Sequence, residues 1–423
     1  MGKTEKKIRA VKGMPDVMMP DIKIWQIVEE TAKQVFSTYG YHEIRTPILE
    51  HTELFQRGVG ESTSVVEKEM YSFVDQGDAA LTARPEGTAS VVRAYIESGQ
   101  CTIDPLTRYY YMGPMFRRER PQKGRQRQFF QIGCELMNVE SPFADAEVIA
   151  MADHFLRDVG IEGLKLELNS IGCPKCRPSY NSALVEYLES AKSKLCANCV
   201  RRLGKNPLRI LDCKKAECNK IVEEAPRFSK YWCSDCVEHF DAVKKGLDSL
   251  EVEYTLNEFI VRGLDYYMRT TFEFTTDKLG AQNAVLAGGR YDGLVKELGG
   301  PDIPGVGFAL GMERLVLLLQ QTMKDSQIED LIYFAVIGES ARDAALPIMQ
   351  ILRRDGVRVE WDYAVKSLKA QMRRAAKLNA ESVVIIGDDE ISKGQAVVRD
   401  MRAGTQQEVR IKDLPMHFVD IGG

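Results

Sequence analysis

"MFRRERPQKGRQRQFFQIGCE", residues 115–135, sets six positive side chains between Arg117 and Arg127 against one acid, Glu119. Phe129, Phe130 and Glu135 follow at once. The whole chain of 423 residues is mildly acidic, with 57 Lys and Arg against 61 Asp and Glu. Positive charge is therefore concentrated for a local purpose and not spread for general nucleic-acid binding. The run "RYYYMGPMFRRER", the loop "PQKGRQ" and the run "RQFFQIGCELM" together predict a β-hairpin over about 105–137. Strand side chains alternate between faces. Arg117 and Glu119 then share a face of the first strand, and Phe129, Gln131, Gly133 and Glu135 a face of the second. If the two faces coincide, one surface offers an arginine fork for phosphate oxygens, a ring for stacking, and an amide and carboxylates for NH groups. Gly133 leaves space for a ligand close to the backbone. Arg125 and Arg127, in or beside the loop, are placed for longer-range contact with phosphates. The surface suits a small ligand with a phosphate, a flat ring and a cationic or NH-rich end. The alternative is a solvated, salt-bridged hairpin.

Working outward, residues 21–39 place Ile24, Ile27, Val28, Val35 and Phe36 at helical spacing, and Gly40 stops that helix. "YHEIRTPILE" alternates like a strand, which Pro47 confines to an edge or an interface. Further strands are expected at 163–169, within 254–275 and around 283–288. "GVGFALGMERLVLLLQ" reads as a strand running into a helix that starts near Gly311. After about residue 325 the pattern changes. "LIYFAVIG", "VRVEWD" and "SVVIIG" are short strands, separated by helices at about 341–355 and 365–379, and "AVVRDMRAGTQQEVRI" closes as a hairpin. That rhythm predicts a parallel or mixed sheet covered by helices, with a boundary at about 325–330.

No apolar run approaches the ~18–20 residues needed to cross a bilayer. The start "MGKTEKKIRAVKGMPD" is too polar for a signal peptide, so a cytoplasmic protein is expected. Of ten cysteines, Cys101 and Cys134 stand alone and eight lie between Cys173 and Cys236, six of them as "CPKC", "CANC" and "CSDC". In a cytosolic chain such pairs are half-sites for tetrahedral zinc more often than disulfides. One grouping joins Cys196 and Cys199 with Cys233 and Cys236, and leaves Cys173, Cys176, Cys213 and Cys218 for a second site. The alternative is free thiols that merely pack. In "AVKSLKAQMRRAAKL", Lys366, Lys369, Arg373 and Lys377 recur at three- and four-residue steps with no acid between them, forming one helical stripe. A solvated helix face is the alternative there.

The hairpin resembles motif 2 of class II aminoacyl-tRNA synthetases, in the version found in the histidyl-tRNA synthetase family. Residues 21–50 resemble motif 1, a dimer-interface helix followed by a strand with an embedded proline, and "GVGFALGMERL" resembles motif 3. "RGLDYY" at 262–267 and "AGGRYDGL" at 287–294 resemble the two histidine-specific motifs, and "LTARPEGTA" at 81–89 the amino-acid-binding segment. The family commonly has His where this chain has Arg118, on the opposite strand face from Arg117.

The resemblance implies an α+β catalytic core, an antiparallel sheet flanked by helices, formed by residues 1–171 and 251–327. It also implies a Cys-rich, mostly helical insertion at 172–250 and a C-terminal α/β mixed-sheet anticodon-binding domain at 328–423. It implies that histidine and ATP, with Mg2+, give histidyl-adenylate, and that the histidyl group then passes to the terminal adenosine of histidine tRNA. Arg117 would hold the α-phosphate and the histidine carboxylate, Glu119 and Phe129 the adenine, and Arg314 the terminal phosphates. Glu86, Thr88 and Gln131 would bind the α-amino end, and Glu135 and Tyr267 the imidazole, with Tyr266 beside it. Arg262 would stabilise charge growing on the α-phosphate, where other class II enzymes use a metal ion; its alternative is an ion pair with Asp265. Arg290 is catalytic or else pairs with Asp292, and the glycines of "AGGRYDGL" would form a turn at the substrate. Arg125, Arg127 and the Lys366–Lys377 stripe would meet tRNA, and the basic run "CVRRLGKNPLRILDCKK" suits the acceptor stem. A homodimer is implied, and Zn2+ in the insertion rests on the cysteine spacing alone. One rival is a synthetase-like regulatory protein that binds histidine without charging tRNA, which lacks the C-terminal domain. Another is a zinc-ribbon nucleic-acid-binding protein, in which motifs 2 and 3 would be idle.

Overall fold

The computed structural model describes residues 7–60, 63–104, 106–213, 215–279, 283–322, 331–364 and 366–419. They divide into two units, Met1–Thr322 and Met323–Gly423. The boundary expected at 325–330 lies outside the described residues.

In the first unit the strands are β1 (His42–Glu43), β2 (Leu49–His51), β3 (Tyr71–Val74), β4 (Ala80–Ala83), β5 (Thr107–Phe116), β6 (Gln128–Met137), β7 (Lys165–Ser170), β8 (Thr255–Leu256), β9 (Met268–Thr275), β10 (Ala284–Arg290) and β11 (Gly305–Gly311). Eight of them form one sheet in the order β1-β5-β6-β11-β10-β9-β7-β8. Its pairs are antiparallel except β1–β5 and β7–β8 at the two edges. β2, β4 and β3 form a small antiparallel sheet of their own. "YHEIRTPILE" therefore splits: β1 takes the edge of the large sheet and β2 joins the small one. Pro47, between them, has no N–H to continue a ladder.

One face of the large sheet is covered by helices Asp21–Thr38 and Pro142–Asp158. Phe36 of the first packs on Phe155 of the second (centroids 5.4 Å apart), on Tyr110 of β5 (5.6 Å) and on Phe308 of β11 (5.9 Å). The buried stripe of the first helix is Trp25, Val28, Ala32, Val35 and Phe36. Ile24 and Ile27, expected in that stripe, are only half-buried.

The hairpin forms in register, with Met115 opposite Phe129 and Tyr109 opposite Glu135. Its first strand stops at Phe116, before the Arg117–Glu119 alternation expected to continue it. Arg117, Arg118 and Glu119 lie in the connecting loop, where strand parity no longer decides which way they face. Within 254–275 the expected strands form as β8 and β9, with residues 257–267 a loop between them.

Residues 172–250 are helical, with principal helices Arg177–Ser190, Ala197–Leu203, Ala216–Glu223 and Ser234–Ser249. Gly246 lets the last of these lie against the core helix Pro142–Asp158, since a Cβ there would stand 2.7 Å from Ala146 Cβ.

The second unit holds β12 (Ile332–Ile337), β13 (Val359–Trp361), β14 (Ser382–Gly387), β15 (Gln395–Asp400) and β16 (Gln406–Arg410) in the order β13-β12-β14-β15-β16. β12 runs parallel to β13 and β14, while β15 and β16 form the antiparallel hairpin. Helices Glu339–Arg354 and Leu368–Lys377 connect the parallel strands. Two short helices, Asp388–Lys393 and Leu414–Val419, were not expected from the apolar pattern. At six residues each they are too short to show a helical period.

Candidate active site

The uncovered face of the large sheet is set by parity and register. Along β6, Phe129, Gln131, Gly133 and Glu135 point one way while Cys134 shares the opposite face with its neighbour Phe308. Opposite them, Gly311 faces Gln131, Ala309 faces Gly133 and Gly307 faces Glu135. The next strands continue the rows, with Ala287 beside Ala309 and Glu273 beside Ala287. The small residues of β10 and β11 leave the middle of this face hollow. A cavity of about 790 Å³ stands over it, of the size that small-ligand sites have. Glu86, Thr88, Arg117, Glu119, Arg125, Phe129, Gln131, Arg262, Tyr266, Tyr267 and Arg314 all line it.

Arg117 sits at the mouth of the hairpin. Its Nε donates to Pro85 O at 2.7 Å, and its guanidinium stands 5.1 Å from the centroid of the Phe129 ring. Glu119 accepts from Arg125 Nη1 at 2.8 Å. Arg127 turns away from the cavity: its N–H donates to Gly13 O at 2.7 Å and its Nε to Glu119 O at 3.2 Å. Arg118 is exposed in the loop. Across the cavity, Arg314 donates through Nη1 to Ala284 O at 2.5 Å. Burial and the neighbouring Arg125 charge push the Arg314 pKa down. Beside it, Glu313 accepts from Phe130 N–H at 2.9 Å, and burial raises its carboxyl to about 7.

Glu86 folds its carboxyl over the start of helix Thr88–Glu97, accepting from the N–H groups of Thr88 and Ala89, both at 2.8 Å. Burial nonetheless holds its pKa above the ordinary value. Gln131 Oε1 accepts from Gly87 N–H at 3.1 Å. Glu135 is 1% exposed and lies one hydrogen bond behind the cavity wall. Thr88 Oγ1 donates to its Oε1 at 2.7 Å and Tyr291 Oη to its Oε2 at 2.5 Å. Burial raises Glu135 to about 8, although both hydroxyls favour the ionised form. The space expected over Gly133 is filled from within the sheet. A Cβ there would stand 2.4 Å from Tyr111 Oη, and one at Gly87 would stand 2.2 Å from Tyr111 Cε2.

Arg262, Tyr266 and Tyr267 come from the loop between β8 and β9. Arg262 pairs with Glu273 of β9, not with Asp265 as its alternative reading had it. Its guanidinium stands 5.5 Å from the Tyr267 ring centroid. Burial pushes its pKa down, but the Glu273 carboxylate beside it outweighs this and holds the charge on. The Tyr266 and Tyr267 rings lie 4.6 Å apart, and Tyr291 closes edge-on to Tyr266 at 5.7 Å.

Arg290 is structural. It is fully buried and donates to Asp145 through Nη2 at 2.6 Å and Nε at 3.0 Å, as well as to Asp292 at 3.1 Å. Thr270 Oγ1 also donates to Asp145, at 2.6 Å. Gly288 and Gly289 of "AGGRYDGL" lie in β10 and form no turn at a substrate, while Gly293 turns into the short helix Leu294–Glu297. Gly288 is inside β10, where a Cβ would lie 2.3 Å from Gly307 O and 2.6 Å from Phe272 Cζ. Gly288 and Gly289 allow close strand packing.

The eight clustered cysteines form two groups, but not the two expected. Cys173, Cys176, Cys233 and Cys236 meet in one, and Cys196, Cys199, Cys213 and Cys218 in the other. The expected grouping fails because Cys173 follows β7 and Cys233 precedes the helix that packs back on the core, so the two ends of the insertion meet each other. The donor set fits zinc. Ligands at ~2.3 Å in a tetrahedron place sulfur atoms ~3.8 Å apart. The observed Sγ separations are 3.7 Å for Cys173–Cys176, 3.8 Å for Cys173–Cys233, 3.7 Å for Cys176–Cys236 and 4.0 Å for Cys196–Cys213.

In the second unit, Lys369, Arg373 and Lys377 form an exposed stripe on helix Leu368–Lys377. Lys366 is not on it. Ser367 caps the helix, accepting from Ala370 N–H, and Lys366 donates to Asp362 at 2.7 Å.

Three residues escaped the sequence reading: Tyr291, Glu273 and Tyr111. Tyr291 sits within the glycine-rich "AGGRYDGL", and Glu273 lies in a run with no motif. The strict small–large alternation of "GVGFALG" was the available sign of a hollow face.

Comparisons with known proteins agree with this geometry. A family model described as histidyl-tRNA synthetase matches residues 13–315, and one described as an anticodon binding domain matches residues 332–420. The histidine–tRNA ligase of Syntrophotalea carbinolica is 50% identical over 413 residues, 98% of each chain. That of Geobacter sulfurreducens is 51% identical over 402 residues, 95% of this chain and 97% of that one. The crystal structure of apo S. aureus histidyl-tRNA synthetase superposes with a TM-score of 0.82 at 35% identity, covering 98% of this chain and 100% of that one. A Bacillus halodurans protein described as an ATP phosphoribosyltransferase regulatory subunit/histidyl-tRNA synthetase shares the fold, with a TM-score of 0.66 at 22% identity over 92% of this chain and 99% of that one. No helix among the described residues is long and apolar enough to cross a membrane. With motif, cavity and full-length likeness in agreement, the chain belongs to the histidyl-tRNA synthetase family.

Proposed function

We propose that this chain is a histidine–tRNA ligase working in two steps in the cavity over the large sheet. In the first, an oxygen of the histidine carboxylate attacks the α-phosphorus of ATP, and pyrophosphate leaves. In the second, a ribose hydroxyl of the terminal adenosine of histidine tRNA attacks the carbonyl carbon, and AMP leaves. The observation that carries the reading is the convergence of Arg117, Arg262 and Arg314 with Glu86, Gln131 and Tyr267 on one cavity.

Each role follows from chemistry. Arg117 holds the α-phosphate and the histidine carboxylate, bringing nucleophile and phosphorus together in place of a chance encounter. Phe129 stacks the adenine and Glu119 accepts its amino group. Arg314 takes the terminal phosphates, which travel with Mg2+. Arg262, held charged by Glu273, stabilises the negative charge that grows on the α-phosphate, the kind of fixed stabilisation that lowers a barrier most. Glu86, Thr88 and Gln131 receive the α-ammonium. Tyr267, with Tyr266 beside it, and Glu135 fix the imidazole, and Glu135 engages the ring when Thr88 yields its hydrogen bond. Buried polar partners of this kind reject analogues that lack them by as much as ~10⁴–10⁵.

In this reading residues 1–171 and 251–327 are the catalytic core, 172–250 an insertion with a Zn2+ ion in each Cys₄ group, and 328–423 the anticodon-binding domain. Arg125 at the cavity and Lys369, Arg373 and Lys377 on helix Leu368–Lys377 meet tRNA phosphates, with Arg127 and Lys366 as supports of those elements. The working form is a homodimer in the cytoplasm, where ATP and tRNA are found.

The test is histidine-dependent exchange of pyrophosphate into ATP, followed by charging of histidine tRNA. Activation of another amino acid in preference to histidine overturns the reading. Histidine binding without exchange favours the regulatory rival instead.

A further inference from the structure

We propose that the Cys196–Cys199–Cys213–Cys218 group, loaded with Zn2+, is the positioning element of the loop that carries Arg262. The inference rests on the reading of Arg262 as the residue that stabilises the α-phosphate.

Three observations carry it. First, this group is part of the cavity and not remote from it. Cys196, Cys213, Arg202 and Arg209 line the same cavity as Arg262, Tyr266 and Tyr267. Second, the segment strung between its cysteines, residues 200–212, grips the loop directly. Asn206 Nδ2 donates to Asp265 Oδ1 at 2.9 Å, and Arg209 Nη2 donates to Gly263 O at 2.5 Å and stands 3.4 Å from Asp265 Oδ1. Arg202 Nη1 in turn donates to Arg209 O at 3.0 Å. Third, the far end of the loop is held by the other cysteine group. Arg177, next to Cys176, donates to Tyr267 O, and Arg269 N–H donates to Gly172 O, next to Cys173, at 2.8 Å.

The loop needs such support because it has little regular structure of its own. Between β8 and β9 it makes no ladder. The segment that grips it consists of helix Ala197–Leu203 and the 3₁₀ turn Pro207–Ile210, both far below the length at which a helix holds itself. Four thiols drawn together without a cation hold a backbone weakly. As thiolates on Zn2+, their protons released to solvent, they fix both ends of residues 200–212. Asn206 and Arg209 then have a defined position from which to set Gly263 and Asp265, and through them Arg262. They are positioning residues, since neither needs to touch the substrate.

The experiment uses the full-length protein purified with zinc, and reads metal content by mass spectrometry, amide hydrogen exchange of residues 262–267, and kcat and KM in pyrophosphate exchange. Wild type is expected to hold two zinc ions, one for each Cys₄ group. Cys213→Ser is expected to retain one, to lose protection over 262–267, and to lower kcat by about ten- to a hundredfold. Arg209→Ala touches no ligand, so it is expected to keep both zinc ions yet show the same loss of protection and of kcat. Arg209→Lys, able to keep one of the two bonds, is expected to recover part of it. Wild type with no zinc at the second group, read also as thiolate–metal absorption on Co2+ substitution that does not fall in Cys213→Ser, overturns the proposal. So does Cys213→Ser that loses its zinc with kcat and loop protection unchanged. If Cys213→Ser does not fold, Arg209→Ala decides: two zinc ions with unchanged protection and kcat overturns the proposal. Wild type without histidine-dependent exchange refutes the functional reading instead. Metal content and loop protection, measured with and without zinc, still test the positioning, and equal protection in both refutes it.

Discussion

Tyr291 donates its hydroxyl to Glu135 at 2.5 Å, linking two buried side chains 156 positions apart in the chain. With Thr88 on the other oxygen, the Glu135 carboxyl is held in one orientation behind the proposed imidazole site. Removing the hydroxyl leaves a buried acceptor short of a partner, at a cost of about 1–3 kcal/mol. Tyr291→Phe is therefore expected to lower the urea unfolding free energy by that amount. It is also expected to raise the KM for histidine while leaving the KM for ATP unchanged, which steady-state exchange kinetics check.

Glu135 also gives stability a pH dependence. Burial raises its pKa from an ordinary 4.5 to about 8, so across that window the folded chain keeps a proton that the unfolded chain has released. Stability from this group is full below about pH 4.5, falls as pH rises to about 8, and is flat above. Glu135→Gln removes the titration. The melting temperature of wild type minus that of Glu135→Gln is expected to fall through this window. A difference that is constant with pH would refute the assignment.

Arg262 carries a prediction about rate. Loss of one preorganised donor to transition-state charge typically costs about 10²–10³ in kcat. Arg262→Ala is expected to lose that much in pyrophosphate exchange, with KM values within a few-fold of wild type. Arg262→Lys is not expected to restore it, because a lysine cannot bridge Glu273 and a phosphate with one planar fork.

The Arg290–Asp145 pair predicts stability alone. Both side chains are fully buried. Arg290→Met strands a buried carboxylate, and breaking such a pair costs about 3–5 kcal/mol. Chemical denaturation should show that loss, while kcat per folded molecule, measured at low temperature, stays close to wild type.

The exposed stripe of Lys369, Arg373 and Lys377 predicts a separation of steps. Reversing the three charges to Glu is expected to raise the KM for tRNA in charging and to flatten its salt dependence, without altering histidine-dependent exchange. Unchanged charging would remove the stripe from the tRNA surface.

By itself the sequence determined the hairpin, the strand–helix join at Gly311, the β-α-β-α-β rhythm of the second unit, and the charged and aromatic side chains Arg117, Phe129, Arg262, Tyr267 and Arg314 that line the cavity. Period-two and period-3.6 patterns are local, and a residue such as Gln131 or Glu135 takes its face from its own strand. The tertiary structure alone decided what those faces meet. Which residue stands opposite Glu135 depends on the pairing of β6 with β11, which are distant in sequence, and that pairing brought Gly307 there and Tyr291 to its carboxyl. The same holds for Arg262 with Glu273, for Tyr111 filling the space over Gly133, and for Arg290 with Asp145. The cysteines show the division most simply: C-x-x-C spacing identified the half-sites, but which halves join was fixed by helix Ser234–Ser249 packing back on the core and carrying Cys233 and Cys236 to Cys173 and Cys176.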